Sequence, residues 1–252
     1  MLQNILASIG LGGSRIKLEL SGTILKQGET LQGTVFVHGG KAAQKVKQLY
    51  LHLEATSQYE ADDKIRVFDG VVDTYTDNQP FEISGGGFEK EIPFTYQIPL
   101  NIPISRGRTR YKLKAGLDIR NAINPSAQLD VTVQPCPEIE AILTAMKQLG
   151  FEHKRDSGDF NGKIQWLEYR PTAFFAGTMD EVEMAFGIDS QNVNIHAEVD
   201  RRSGGLAGLL MEALDADEKR VDLKLPRNIL LSQGKPNVTA AYDALKKFLS
   251  SV

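Results

Sequence analysis

Apolar residues alternate with polar ones over most of the first 134 positions. The clearest run is Ile92-Pro93-Phe94-Thr95-Tyr96-Gln97-Ile98-Pro99, followed by Ile102-Pro103-Ile104-Ser105. Ile92, Phe94, Tyr96 and Ile98 share one face of a strand, and Thr95 and Gln97 share the other. Proline gives no N–H to a ladder, so prolines in and around the run mark a strand that enters and leaves its sheet abruptly. The same period recurs upstream. Ile16, Leu18 and Leu20 alternate with charged residues. Lys26-Gln27-Gly28-Glu29 reads as a turn, and Leu31, Gly33, Val35 and Val37 then alternate with Gln32, Thr34, Phe36 and His38. Leu49, Leu51, Leu53 and Ala55 form the apolar face of a long strand from about Lys45 to Tyr59. Ile65 to Tyr75 is a weaker strand, Arg108 to Leu117 another, and Leu129, Val131 and Val133 close the set. Short strands with turn chemistry between them predict an antiparallel β-sandwich.

The period changes at Gln134-Pro135-Cys136-Pro137. Pro137 suits a first helical position. Ile139, Ile142, Leu143, Met146 and Leu149 follow at helical spacing, and Gly150 ends the helix. Beyond it, 163–169, 181–188, 192–199 and 221–225 read as strands and 206–214 as a helix. Pro236-Asn237-Val238-Thr239 opens a last helix, with Val238, Ala241, Leu245, Phe248 and Leu249 on one side. Four regions result: an amphipathic helix over 1–14 (Leu2, Ile5, Leu6, Ile9), a β-sandwich over 15–134, a second β-rich domain with a few helices over 135–226, and a loop and helix over 227–252.

Three segments resemble the amino-terminal half of arrestin-like proteins: Gly28-Glu29-Thr30-Leu31-Gln32-Gly33-Thr34-Val35, Ile92 through Pro99, and Tyr111-Lys112-Leu113-Lys114-Ala115-Gly116-Leu117-Asp118-Ile119. Their order and spacing carry the resemblance. Glu198-Val199-Asp200-Arg201-Arg202, Gly204-Gly205-Leu206-Ala207-Gly208-Leu209-Leu210 and Glu212-Ala213-Leu214 resemble the bacterial sporulation-control arrestin-like family, the sporulation stage zero M proteins. Ala7-Ser8-Ile9-Gly10 and the segment 117–122 do so too. The resemblance covers about residues 1–225. It implies a mainly β, arrestin-like fold and a regulatory adaptor without catalysis, whose β surfaces hold other proteins.

Composition removes other classes. A net charge of −3 gives the chain no bulk attraction for nucleic acid. One cysteine, Cys136, allows no intrachain disulfide. No apolar run reaches the ~18–20 residues of a membrane span, and the N-terminus lacks a signal-peptide pattern, so the cytoplasm is expected. The histidines (His38, His52, His153, His196) are scattered, without zinc spacing. His38, His52 and His196 fall on outward faces. Cys136 has no evident base partner, and Asp215-Ala216-Asp217-Glu218 lacks the glycine and further ligands of a calcium loop. No metal, cofactor or catalytic residue is expected.

Two charge patterns remain. Arg106, Arg108, Arg110, Lys112 and Lys114 recur at every second residue; on one strand all five share a face, with Thr109, Tyr111, Leu113 and Ala115 inward. Like charges so stacked need an offset. Acids on a neighbouring strand such as Glu89 or Glu91 supply one reading. A docking ridge for an acidic or phosphorylated protein partner, or for an anionic lipid or other polyanion at a membrane surface, is the other. The second pattern joins Asp118, Glu198, Asp200, Arg201 and Arg202. Arg201 and Arg202 paired with acids such as Asp118 or Glu198 would lock two domains together, and breaking one partner would act as a switch. Bare sheet edges also make a second copy of the chain an expected partner.

Overall fold

In the computed structural model, described over residues 13–120, 122–202 and 218–252, the chain forms two compact units. The expected helix over 1–14, the expected helix over 206–214 and the glycines at 204, 205 and 208 lie outside the described residues. The acidic run 215–218 does too, apart from the backbone of Glu218.

The first unit takes residues up to Ser57, Val67–Ser105 and Arg110–Gln134. Its strands are β1 (Arg15–Leu20), β2 (Ile24–Lys26), β3 (Thr30–His38), most of β4 (Gln44–Ala61) and of β5 (Lys64–Asp77), β6 (Phe81–Ile83), β7 (Glu89–Gln97), β8 (Arg110–Ile119) and β9 (Ser126–Gln134). One sheet has the order β1-β3-β7. The other runs β2-β9-β8-β4-β5, with β6 also on β4. Between them lies one core. Leu51, Leu53, Leu113 and Leu117 are fully buried there, with Val35 and Ala115 beside them. The alternation seen in the sequence produces this directly: each inward residue is buried and its neighbours face out.

β7 shows the logic. Ile92, Phe94, Tyr96 and Ile98 are buried, and Pro93, Thr95 and Gln97 are exposed. Pro93 is tolerated because β7 lies at an edge of its sheet. Gly28 takes φ +79° in the turn before β3, a conformation that suits glycine. Gly33 answers a different demand: a Cβ there would stand 2.5 Å from Phe94 Cζ and 2.6 Å from the Glu19 carbonyl oxygen. Gly33→Val is expected to destabilise the protein by about 1–3 kcal/mol through overpacking, read as a fall in thermal midpoint. One departure from a purely antiparallel sandwich is β2, which pairs with β9 in parallel.

The second unit takes Gln58–Arg66, Arg106–Thr109 and the chain from Pro135 onward. It contains α1 (Pro137–Gln148), β10 (Phe151–His153), β11 (Leu167–Pro171), a 3-10 turn (Phe174–Gly177), β12 (Met179–Ile188), β13 (Asn192–Arg201), β14 (Glu218–Pro226), α2 (Arg227–Leu230), β15 (Leu231–Ser232), β16 (Lys235–Pro236) and α3 (Val238–Ser251). β10 to β14 form a five-stranded antiparallel sheet in chain order. Pro137 opens α1, and Gly150 at φ +82° follows its end. α1 packs against α3; Ile142, Met146, Ala241 and Leu245 are fully buried. Residues 227–252, the C-terminal loop and helix, belong to this unit. Asn237 caps α3 by accepting from the Ala240 N–H at 3.4 Å.

Two expected strands change. That over 163–169 shrinks to β11, because Asn161 and its neighbours form a turn: the Asn161 carboxamide accepts from the N–H groups of Lys163 and Ile164. The strand expected from Arg108 begins only at Arg110.

Candidate functional site: a charged groove beside a carboxylate row

In the second unit, β11 carries Glu168, and β12 and β13 carry acids at alternate positions, Glu181 and Glu183, Glu198 and Asp200. Glu168 stands opposite Glu183, Glu183 opposite Glu198, and Glu198 opposite Arg220 on β14. Glu181 joins them from β12; oxygens of Glu168, Glu181 and Glu183 all lie within 4.8 Å of one another. Like charges directly opposite each other destabilise a sheet. Lys154 offsets them: its ammonium contacts Glu181 and lies 3.5 Å from Glu168. Arg220 does the same for Glu198 at 2.9 Å. These three carboxylates are the described set able to chelate a cation, and the Lys154 ammonium already sits against two of them.

Glu183 bears the cost. Burial, with Glu168, Glu181 and Glu198 adding to it and Lys154 opposing, pushes its carboxyl up to about 7. The folded state therefore holds this proton more tightly than the unfolded chain. Between about pH 4.5 and 7, the native state binds more protons at this position, and stability falls as pH rises. Glu183→Gln should stabilise the protein above pH 7 by about 1–2 kcal/mol after allowance for solvent screening. The gain should vanish below pH 4.5. Thermal midpoints across pH measure it.

A groove of about 900 Å³ opens beside this row. Trp166, the chain's one tryptophan, lines it with Tyr59, Ile164, Arg155, Arg108 and Glu183. Arg108 is held in a two-pronged bond to Asp159, Nε at 3.1 Å and Nη2 at 2.5 Å. Gly107 turns the chain just before it at φ +56°, where a Cβ would meet the Ser157 carbonyl at 2.4 Å. Below the groove, the buried Ser157 hydroxyl accepts from the Glu168 N–H at 3.0 Å. It also shares a hydrogen bond with His153 Nδ1, 2.9 Å away. The His153 ring lies 4.3 Å from Tyr169, and burial, aided by Arg106, pushes its pKa down to about 4. A serine beside a histidine invites a nucleophilic reading. Here Ser157 has no exposed surface, and its hydroxyl bridges two strands. Cys136 is also buried, and burial pushes its thiol up to about 11.

The structure divides the five alternating bases. Arg110, Lys112 and Lys114 share the outward face of β8, while Arg106 and Arg108 lie in the segment before it, within the second unit. Thr109, Tyr111, Leu113 and Ala115 are buried. The offsetting acids are not Glu89 or Glu91, which lie on β7 in the other sheet. Lys112 stands between Glu54 and Asp130, and Lys114 Nζ lies 3.7 Å from Glu54. The second pattern also resolves into local pairs. Asp118 pairs with Lys47 in the first unit at 3.4 Å. Within the second, Arg202 pairs with Asp180 at 2.8 Å and Glu198 with Arg220. Arg201 stands opposite Met179, and Asp200 opposite Glu181. Within the second unit, Arg202 and Glu198 thus each have a local partner. Glu198 and Arg220 face each other on adjacent strands, where opposite charges favour pairing. Reading sequence alone missed the groove and the carboxylate row. The available signal was Glu181-x-Glu183 and Glu198-x-Asp200, acids at strand spacing on two successive strands.

Comparison with known proteins places this architecture. The family model described as SpoOM protein matches residues 2–203. The chain belongs to that family. It is 30% identical over 236 residues to the sporulation-control protein spo0M of Bacillus subtilis (strain 168), covering 90% of this chain and 91% of that one. The crystal structure of Spo0M, sporulation control protein, from Bacillus subtilis superposes with a TM-score of 0.78 at 25% identity, over 96% of this chain and 99% of that chain. The SpoOM fold is arrestin-like and mainly β, as the sequence resemblance implied. No described helix is long and apolar enough to cross a membrane.

Proposed function

We propose that this SpoOM family member is a cytoplasmic regulator of the sporulation-control type that works as an adaptor, holding a protein partner without performing a reaction. One contrast carries the reading. Ser157, which stands beside a histidine, and Cys136 are buried. The groove exposes instead Arg155, Asp156 and Glu60 beside Trp166 and Tyr59. Charged and aromatic side chains of both kinds on one surface favour recognition of a polar peptide segment. The bases of β8 support an anionic lipid less well, since Glu54 and Asp130 flank Lys112 and break up a uniform positive field.

Affinity capture from lysate of the source cells, comparing the native chain with Trp166→Ala and Arg155→Glu, tests this. A protein retained by the native chain should be lost by about tenfold on one or both variants, with unchanged thermal midpoints. Its addition to purified protein should shift Trp166 emission. Identical captured sets from all three proteins would remove the groove as the recognition surface. A turnover abolished by one substitution would remove the adaptor reading.

A further inference from the structure

β14 is an outer strand of the five-stranded sheet. One side is paired with β13 along its length, from Asn192↔Pro226 to Asp200↔Glu218. Among the described residues no strand pairs with its other side. A nine-residue edge with no described strand beside it is a template for another strand. Proteins usually guard such edges with charges that repel a second copy. The charges on β14 do the reverse. Positions 218, 220, 222 and 224 share one face and read Glu, Arg, Asp, Lys. Alternating signs of this kind are complementary to themselves when the strand is turned end for end.

We propose that two copies of the chain pair through β14, antiparallel about a twofold axis at Val221, and join their five-stranded sheets into one. This register sets Arg220 opposite the partner's Asp222 and Glu218 opposite the partner's Lys224, each contact occurring twice. A slip of one residue turns inward side chains outward. Centring on Leu223 keeps only the match between Asp222 and Lys224; centring on Lys219 keeps only that between Glu218 and Arg220. Only the axis at Val221 satisfies all four charges.

The Arg220 and Asp222 side chains are placed for it. Arg220 and Asp222 remain 76% and 72% exposed although each has a partner on β13, Glu198 and His196. Across the axis the row would continue Glu198, Arg220, the partner's Asp222, the partner's His196. On the inner face Val221 and Leu223 are only half-buried, whereas Leu225 is buried. Lys219 shares their parity, but its Nζ turns to the Val252 carbonyl at 3.5 Å. A second strand would cover these two half-buried apolar residues. The inference stands apart from the groove and does not depend on the adaptor reading.

The test uses the full chain. Light scattering and sedimentation should give twice the monomer mass of 27.8 kDa. Val221→Cys should form an intermolecular disulfide on mild oxidation, while Leu223→Cys, which faces the partner's Lys219, should not. The native Cys136 is buried and gives little background. Two further variants make each edge a single sign: Glu218→Lys with Asp222→Lys, and Arg220→Glu with Lys224→Glu. Each alone should dimerise about tenfold or more weakly, and mixing them should restore the dimer. A native chain that stays monomeric at its highest soluble concentration overturns the proposal. So does a dimer that Val221→Cys fails to trap, or one that both charge variants leave intact. Should a charge variant misfold, the cysteine in the otherwise native chain decides.

Discussion

Replacing Arg227 with alanine is expected to destabilise the second unit by about 3–5 kcal/mol, enough to consume a large share of ordinary domain stability. Glu138, in the first turn of α1, has a side chain only 3% exposed. Its Oε1 lies 2.8 Å from Arg227 Nε and 2.7 Å from Nη2. Arg227 begins α2, directly after β14. Loss of the guanidinium would leave a buried carboxylate with no compensating charge, and desolvation then counts in full. Urea unfolding of the variant measures the cost. A double replacement, Glu138→Leu with Arg227→Leu, should cost much less, because it removes both charges together. Equal losses in the single and double variants would show that packing, not the stranded charge, sets the effect.

The second large effect lies in the sandwich. Leu113 faces Leu53 across β4 and Leu129 across β9, and all three are buried. Leu113→Ala should cost about 2–5 kcal/mol, the lost transfer energy of the side chain plus the cavity left behind. The row is central to its sheet, so little nearby chain can relax into the space. Denaturant unfolding should show a lower midpoint with an unchanged slope. Lys112→Ala, one residue away on the exposed face of the same strand, should change stability by less than about 0.5 kcal/mol. The contrast checks that the alternation assigns the faces.

Much of the sandwich was legible from that alternation. Leu49, Leu51, Leu53 and Ala55 had to share a face, and all four are buried. Pro137 and Gly150 framed α1 because proline tolerates an N-terminal position and glycine the left-handed turn that ends it. The short elements were less legible. β10, β15 and β16 span three or two residues, too few to display any period. The strand carrying the alternating bases begins and ends two residues later than the alternation predicts, because Arg106-Gly107-Arg108-Thr109 keeps the period of a strand. Gly107 at positive φ and the bond from Arg108 to Asp159 draw it out of the ladder.

The candidate site divides in the same way. That Glu181 and Glu183 share a face follows from their spacing, as it does for Glu198 and Asp200. That Glu168 stands beside Glu183, with Lys154 between Glu168 and Glu181, depends on which strands are neighbours and in what register. His153 makes the point most sharply. Alternation places His38 and His196 on outward strand faces, but the half-burial of His153 and its bond to Ser157 are set by how the surrounding chain folds. By itself, the order of residues determined strand, helix and face, because those depend on the repeat of a few bonds along the backbone. The tertiary structure alone decided which charges meet, because Coulomb energy and desolvation depend on distance and burial between segments far apart in the chain.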